Sequence, residues 1–133
     1  MNQALAVLTT ALLFGGMVLY SFGFAAFLFT ALPPDVAGRT IRRAFPMFYL
    51  FVLSCSAAAA VLLLAGDLPG AGLLALVAGT VLPTRQILMP AINRATDTGA
   101  KGQFKALHGL SVAITLTHIA LTGTVLARLA GAA

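Results

Sequence analysis

The sequence has no tryptophan, one cysteine and three acidic residues, all aspartate. Each scarcity excludes something. Without tryptophan, any aromatic belt at a membrane interface must come from phenylalanine and tyrosine. A lone cysteine, Cys55, rules out an intrachain disulfide and any all-cysteine metal site within one chain. Asp35, Asp67 and Asp97 fall in loops between apolar stretches, so acid–base catalysis by paired buried carboxylates is not expected. No phosphate loop, HExxH helix or nucleophile elbow is present, and an enzyme is the less favoured reading. Charge is scarce overall: 8% of residues, where a soluble domain carries about 25%. With 60% hydrophobic residues and a mean hydropathy of +1.02, the composition is that of a membrane protein. At this length one domain, residues 1–133, is the natural count.

Apolar stretches are what the chain has in abundance. Four of them, near 4–32, 44–65, 71–90 and 104–129, reach the roughly 20 residues needed to cross a bilayer core. The expected fold is all-α, an integral membrane four-helix bundle. The first stretch lacks a preceding basic region and is too long for a signal core, so it reads as a retained span. Gly15 and Gly16 near its middle suit close helix packing. Pro33, Pro34 and Asp35 end it, and Asp35 is placed to cap the next turn. Val36 to Arg43 reads as a short interfacial helix or an early start of span two, with Arg39, Arg42 and Arg43 on lipid phosphates. In span two, Pro46 is placed in the first turn and Phe45, Phe48, Tyr49 and Phe51 form an aromatic collar. Ala57 to Ala60, and Gly72, Ala75 and Gly79 in span three, give small-residue faces for helix contact. Pro83 is expected to kink span three.

Of the eight Lys and Arg residues, all but Arg128 lie in or beside the connections after spans one and three. The positive-inside rule puts those loops in the cytoplasm and both termini outside, in a bacterial inner membrane. A net charge of +5 held in short loops, without aromatic-interleaved basic patches, argues against nucleic acid as a partner.

The candidate site lies on the fourth stretch. His108, Ser111, Thr115, His118 and Thr122 recur at steps of three and four, forming one polar stripe on a helix otherwise fit for lipid. Lipid offers polar groups no partners, so the stripe should face protein, a cavity or a cofactor. His118 falls near mid-membrane, about 18 Å inside if the helix enters near Ala106. Met17 and Cys55 lie at similar depth, and a His/Met/Cys set suits copper, while His with Met also ligates haem. The plainer alternative is a neutral His118 bonded across the bundle to a carbonyl or to Ser54. His108 lies near the basic boundary and, with Arg85, Tyr20, Tyr49, Ser111 and Thr115, would line a polar pocket open to the cytoplasm. Such a pocket suits a lipid headgroup, a metal entry site or a quinone-like ligand. Arg85, about 21 Å along its helix, would snorkel outward or pair with the fourth helix. The two histidines, about 15 Å apart along the axis, are too distant to share one metal ion.

Two stretches resemble a known family. Ala31-Leu32-Pro33, Ala37-Gly38-Arg39 and Phe45-Pro46-Met47-Phe48-Tyr49 resemble the first signature of the transmembrane protein 205-like family of small four-span membrane proteins. Gln103-Phe104-Lys105-Ala106-Leu107-His108-Gly109-Leu110-Ser111 resembles its second. The family looks similar in outline to copper-resistance D-type membrane domains and to small haem-binding oxidases, which implies metal or haem handling as one expectation. Thr115 stands where many members carry asparagine, so a site relying on that amide is in doubt here. The leading expectation is an accessory subunit packing in the bilayer against a membrane-protein partner or a second copy. The alternative is a copper- or haem-handling protein using His118 and His108.

Overall fold

A computed structural model describes residues 2–132. Its described residues form four long helices and no strand. Helix α1 joins Asn2–Val18, a π-helical segment Leu19–Phe24, and Ala25–Ala31. Helix α2 is Pro34–Leu63; α3 is Leu68–Asp97, with a π-helical segment Thr84–Leu88; α4 is Lys101–Gly131. Each is long and apolar enough to cross a membrane. At 29 to 31 residues each, they exceed the roughly 20 that a bilayer core needs, so they tilt or project from it.

Local chemistry sets the joints. Leu32 precedes Pro33 and is extended at φ −125° and ψ 153°, because the proline ring disfavours helix in the residue before it. Pro34 then opens α2, whose first-turn amides need no helical partner. Asp67 caps α3 by accepting from the Gly70 N–H at 3.1 Å. At the other end of α3, Ala100 N–H reaches the Ala95 carbonyl at 2.9 Å and Gly99 N–H the Thr96 carbonyl at 3.2 Å. That doubly bonded ending needs a left-handed residue, and Gly99 supplies it at φ +68°.

Of the two alternatives for Val36 to Arg43, the early start of α2 is the one observed. Other expectations need correction: Pro46 lies inside this helix rather than in its first turn. Asp35 makes no capping bond; it pairs with Arg39 one turn on, at 3.1 Å. The aromatic collar turns inward. Phe48 and Tyr49 are buried, and the Tyr20 ring stacks on Phe48 at 4.5 Å and meets Phe45 edge-on at 5.7 Å. Pro83 and Pro90 bracket the π turn of α3, where Met89 N–H bonds the Thr84 carbonyl five residues back. Pro90 has no N–H to continue an α-helical ladder, and the widened turn absorbs the loss.

The core is shared by all four helices: Leu13 and Met17 of α1, Val52 of α2, Leu74, Val77 and Val81 of α3, and Val125 of α4 are all at most 1% exposed. Gly16 lets α2 approach closely, since a Cβ there would stand 2.6 Å from the Phe51 ring, whereas Gly15 has nothing within 4 Å. Gly123 does the same for α1, with a Cβ position 3.0 Å from the Phe14 ring. The small-residue face of α3 points the other way: Gly72, Ala75 and Gly79 are exposed.

Candidate functional site

The polar stripe of α4 turns inward along most of its length. Ser111, His118 and Thr122 are buried, Thr115 is half-buried, and His108 is exposed at the helix start. His118 Nε2 lies 2.8 Å from the Thr80 hydroxyl of α3. The Thr80 hydroxyl is itself 2.8 Å from the Leu76 carbonyl. With the single Thr80 hydrogen on that carbonyl, the imidazole Nε2–H is the donor to Thr80. The bond across the bundle is the plainer alternative raised for this residue, with a different partner: Ser54 is exposed on α2 and takes no part. The Thr122 hydroxyl is buried without a partner among the described residues.

Met17 is fully buried in the core and Cys55 packs half-buried against it. No group of three or more His, Cys, Asp or Glu able to hold a metal ion occurs among the described residues. Arg85 Nε donates to the Pro46 carbonyl of α2 at 3.4 Å. Tyr20 sits in the aromatic cluster, its hydroxyl buried without a partner among the described residues.

The other members of the expected polar pocket do converge. A cleft of about 820 Å³ lies between all four helices at the end that carries the basic loops. Its lips are α1 and α4. The first part of α1, Asn2–Val18, packs on α4, whereas Ala25–Ala31 packs on α2. The two helices thus separate towards the basic end, with Phe22 and Phe29 on one lip and Val112 and Leu116 on the other. Tyr49, His108, Ser111 and Thr115 line the space, joined by Ser21 and Asn93, which the sequence reading missed. Their signal was only their depth, which no periodicity marks. The His108 ring stacks on Phe104, with ring centroids 5.4 Å apart.

Ion pairs frame the mouth. Arg42 donates from both terminal nitrogens to Asp97 Oδ1 at 2.9 Å, and from Nη2 to the Asn93 carbonyl at 3.0 Å, joining α2 to α3. Arg39 and Asp35 form the second pair. Two of the three arginines assigned to lipid phosphates are therefore bonded to aspartates, because the helix ends bring those acids within reach. At the opposite end Arg128 bonds Asp67 at 2.7 Å, tying α4 to the turn before α3. That bond, and the Gly70 N–H, hold the Asp67 carboxyl below the usual carboxylate range.

A chain with this arrangement can hold an apolar molecule that carries a few polar groups. Residues 8–101 match the family described as "Domain of unknown function (DUF4149)". The chain belongs to this family. No curated protein and no solved structure matches it. The DUF4149 match includes the first of the two motifs, Ala31 to Tyr49, and ends before the second, Gln103 to Ser111, so the α4 lip of the cleft lies outside it. The likeness to the transmembrane protein 205-like family and to copper-resistance domains rests on those motifs alone.

Proposed function

We propose that this small integral membrane protein is a binding protein without catalysis, whose cleft admits an amphipathic molecule of the bilayer between α1 and α4. One observation carries this: a cleft of about 820 Å³ whose lips are exposed apolar side chains and whose interior gathers hydroxyls from three helices. Volumes of that order are usual for ligand sites. The cleft opens towards the basic loops, which the positive-inside rule puts in the cytoplasm, so the ligand enters from the inner leaflet.

The accessory-subunit reading draws on a different observation. Gly72, Ala75 and Gly79 leave an exposed small-residue strip on α3, which suits a helix of a membrane-protein partner or of a second copy. A copper or haem reading falls to His108, the imidazole on the cleft, because His118 is bonded to Thr80. The cleft offers one imidazole, and its two carboxylates are held by Arg39 and Arg42, which gives this reading less support than the apolar lips give an amphipathic ligand.

The test is purification in mild detergent, followed by mass spectrometry of extracted small molecules, an absorption spectrum and elemental analysis. Wild type should carry an amphipathic molecule that Leu116→Trp, which fills the cleft, loses while staying folded. If Leu116→Trp retains the same bound set, the cleft is not the site. A Soret band or bound copper lost with His108→Ala would replace this reading with the cofactor reading.

A further inference from the structure

We infer that the occupant of the cleft is a glycerophospholipid with a zwitterionic headgroup, a phosphate joined to a primary ammonium as in phosphatidylethanolamine. This rests on the cleft being a ligand site and goes on to name its ligand. The argument begins with charge at the mouth. Asp35, Arg39, Arg42 and Asp97 all line the cleft, two acids and two bases. They form two pairs, Arg39–Asp35 at 3.1 Å and Arg42–Asp97 at 2.9 Å. The side chains are 66% and 67% exposed in the first pair and 38% and 63% in the second, so an entering headgroup reaches them. A phosphate takes the guanidinium side of such a pair and an ammonium takes the carboxylate side. A zwitterionic headgroup therefore leaves no charge unmatched. An anionic headgroup would leave the aspartates facing a negative group, and a quinone would use neither pair. The cations without an acidic partner among the described residues, Arg43, Arg85, Arg94, Lys101 and Lys105, do not line the cleft.

The second observation is a set of free donors deeper in. Tyr49 is 4% exposed and lines the cleft, and its hydroxyl bonds no described residue. On α4 the hydroxyls of Ser111, Thr117 and Thr124 return to carbonyls of their own helix at 2.8 to 2.9 Å. The Thr115 hydroxyl, which faces the cleft, makes no such bond. Unpaired donors inside a membrane cavity call for acceptors. The ester carbonyls of a glycerophospholipid, below its phosphate, are acceptors within reach of Tyr49, which lies seven residues or about 10 Å from Arg42 along α2; Thr115 lies deeper, beside the acyl chains. The apolar chains then leave past Phe22, Phe29, Val112 and Leu116, which are 43% to 58% exposed.

The test is native mass spectrometry of the full chain in detergent, titrated with phosphatidylethanolamine or phosphatidylglycerol of identical acyl chains. Phosphatidylethanolamine should bind at least about tenfold tighter, the scale of one charge-assisted hydrogen bond. Asp35→Asn with Asp97→Asn should abolish that preference while both lipids still bind. If melting in detergent shows the double variant unfolded, Asp35→Asn alone, on an exposed pair within one helix, should still narrow the preference. Equal affinity for the two lipids in wild type, or a preference for phosphatidylglycerol, overturns the headgroup assignment and leaves the cleft reading standing. Binding of neither lipid, or unchanged binding in Leu116→Trp, overturns the cleft reading as well.

Discussion

Helices α1 and α4 meet twice along their length, with opposite results. Near mid-membrane they touch, because Gly123 has no side chain and the Phe14 ring fits against its backbone. Towards the basic loops Phe22 and Phe29 on one helix and Val112 and Leu116 on the other line a gap instead. Lipid tails are as apolar as the helices, so no hydrophobic force draws the two together, and packing alone decides where they close. Small residues close the middle; bulky ones line the open end. Polar groups divide less sharply: in the closed region His118 has Thr80 while the Thr122 hydroxyl is buried without a partner among the described residues, and in the open region Tyr49 and Thr115 face the cleft without an acceptor among them.

The comparison can be broken most forcefully at Gly16. Its Cβ position lies 2.6 Å from the Phe51 ring, so Gly16→Val should destabilise the bundle by about 3 kcal/mol, the upper range for overpacking. Gly15→Val, with nothing within 4 Å, should stay within about 0.5 kcal/mol, the usual range for a substitution that meets nothing. Thermal or denaturant unfolding in detergent separates the two, and similar losses would mean that α1 does not pack closely on α2.

The histidines sharpen the contrast next. His118→Ala should cost about 2 kcal/mol, from a lost interhelical bond and a cavity in the closed region. His108→Ala, on the open cleft, should leave unfolding within about 0.5 kcal/mol of wild type. An equal cost at both positions would show that the two regions are not packed differently.

The smallest effect concerns the terminus end, where Asp67 joins Arg128. Its carboxyl pKa is lowered in the fold, first by the Arg128 hydrogen bond and then by the Gly70 N–H. A lowered folded-state pKa gives stability that is full above the unfolded value of about 3.9 and is lost as pH falls through the folded one. The melting temperature should therefore drop slightly more in wild type than in Asp67→Asn on going from pH 5 to pH 3. Parallel curves would mean that the pair adds nothing.

Much of this fold was legible in the sequence because a bilayer enforces it. Long apolar runs must be helices there, since lipid satisfies no backbone group, and Pro33 and Pro34 mark where the first helix stops. The inward turn of the α4 stripe was legible for the same reason. The site was only half legible. Periodicity placed His108, Ser111 and Thr115 on one face, but could not say that α1 would stand away from them while Thr80 closed on His118.

The sequence alone determined four helices, their order, the concentration of cations at one end, and a polar face on the last helix. These follow from local composition and from the cost of exposing polar groups to lipid. Only the tertiary structure decided which polar residues find protein partners. It gave Thr80 to His118, the Pro46 carbonyl to Arg85, and aspartates to Arg39 and Arg42. It also left the cleft open. These outcomes depend on how closely pairs of helices approach, which is set by the fit of side chains such as Phe14 on Gly123 and Phe51 on Gly16, far apart in the chain.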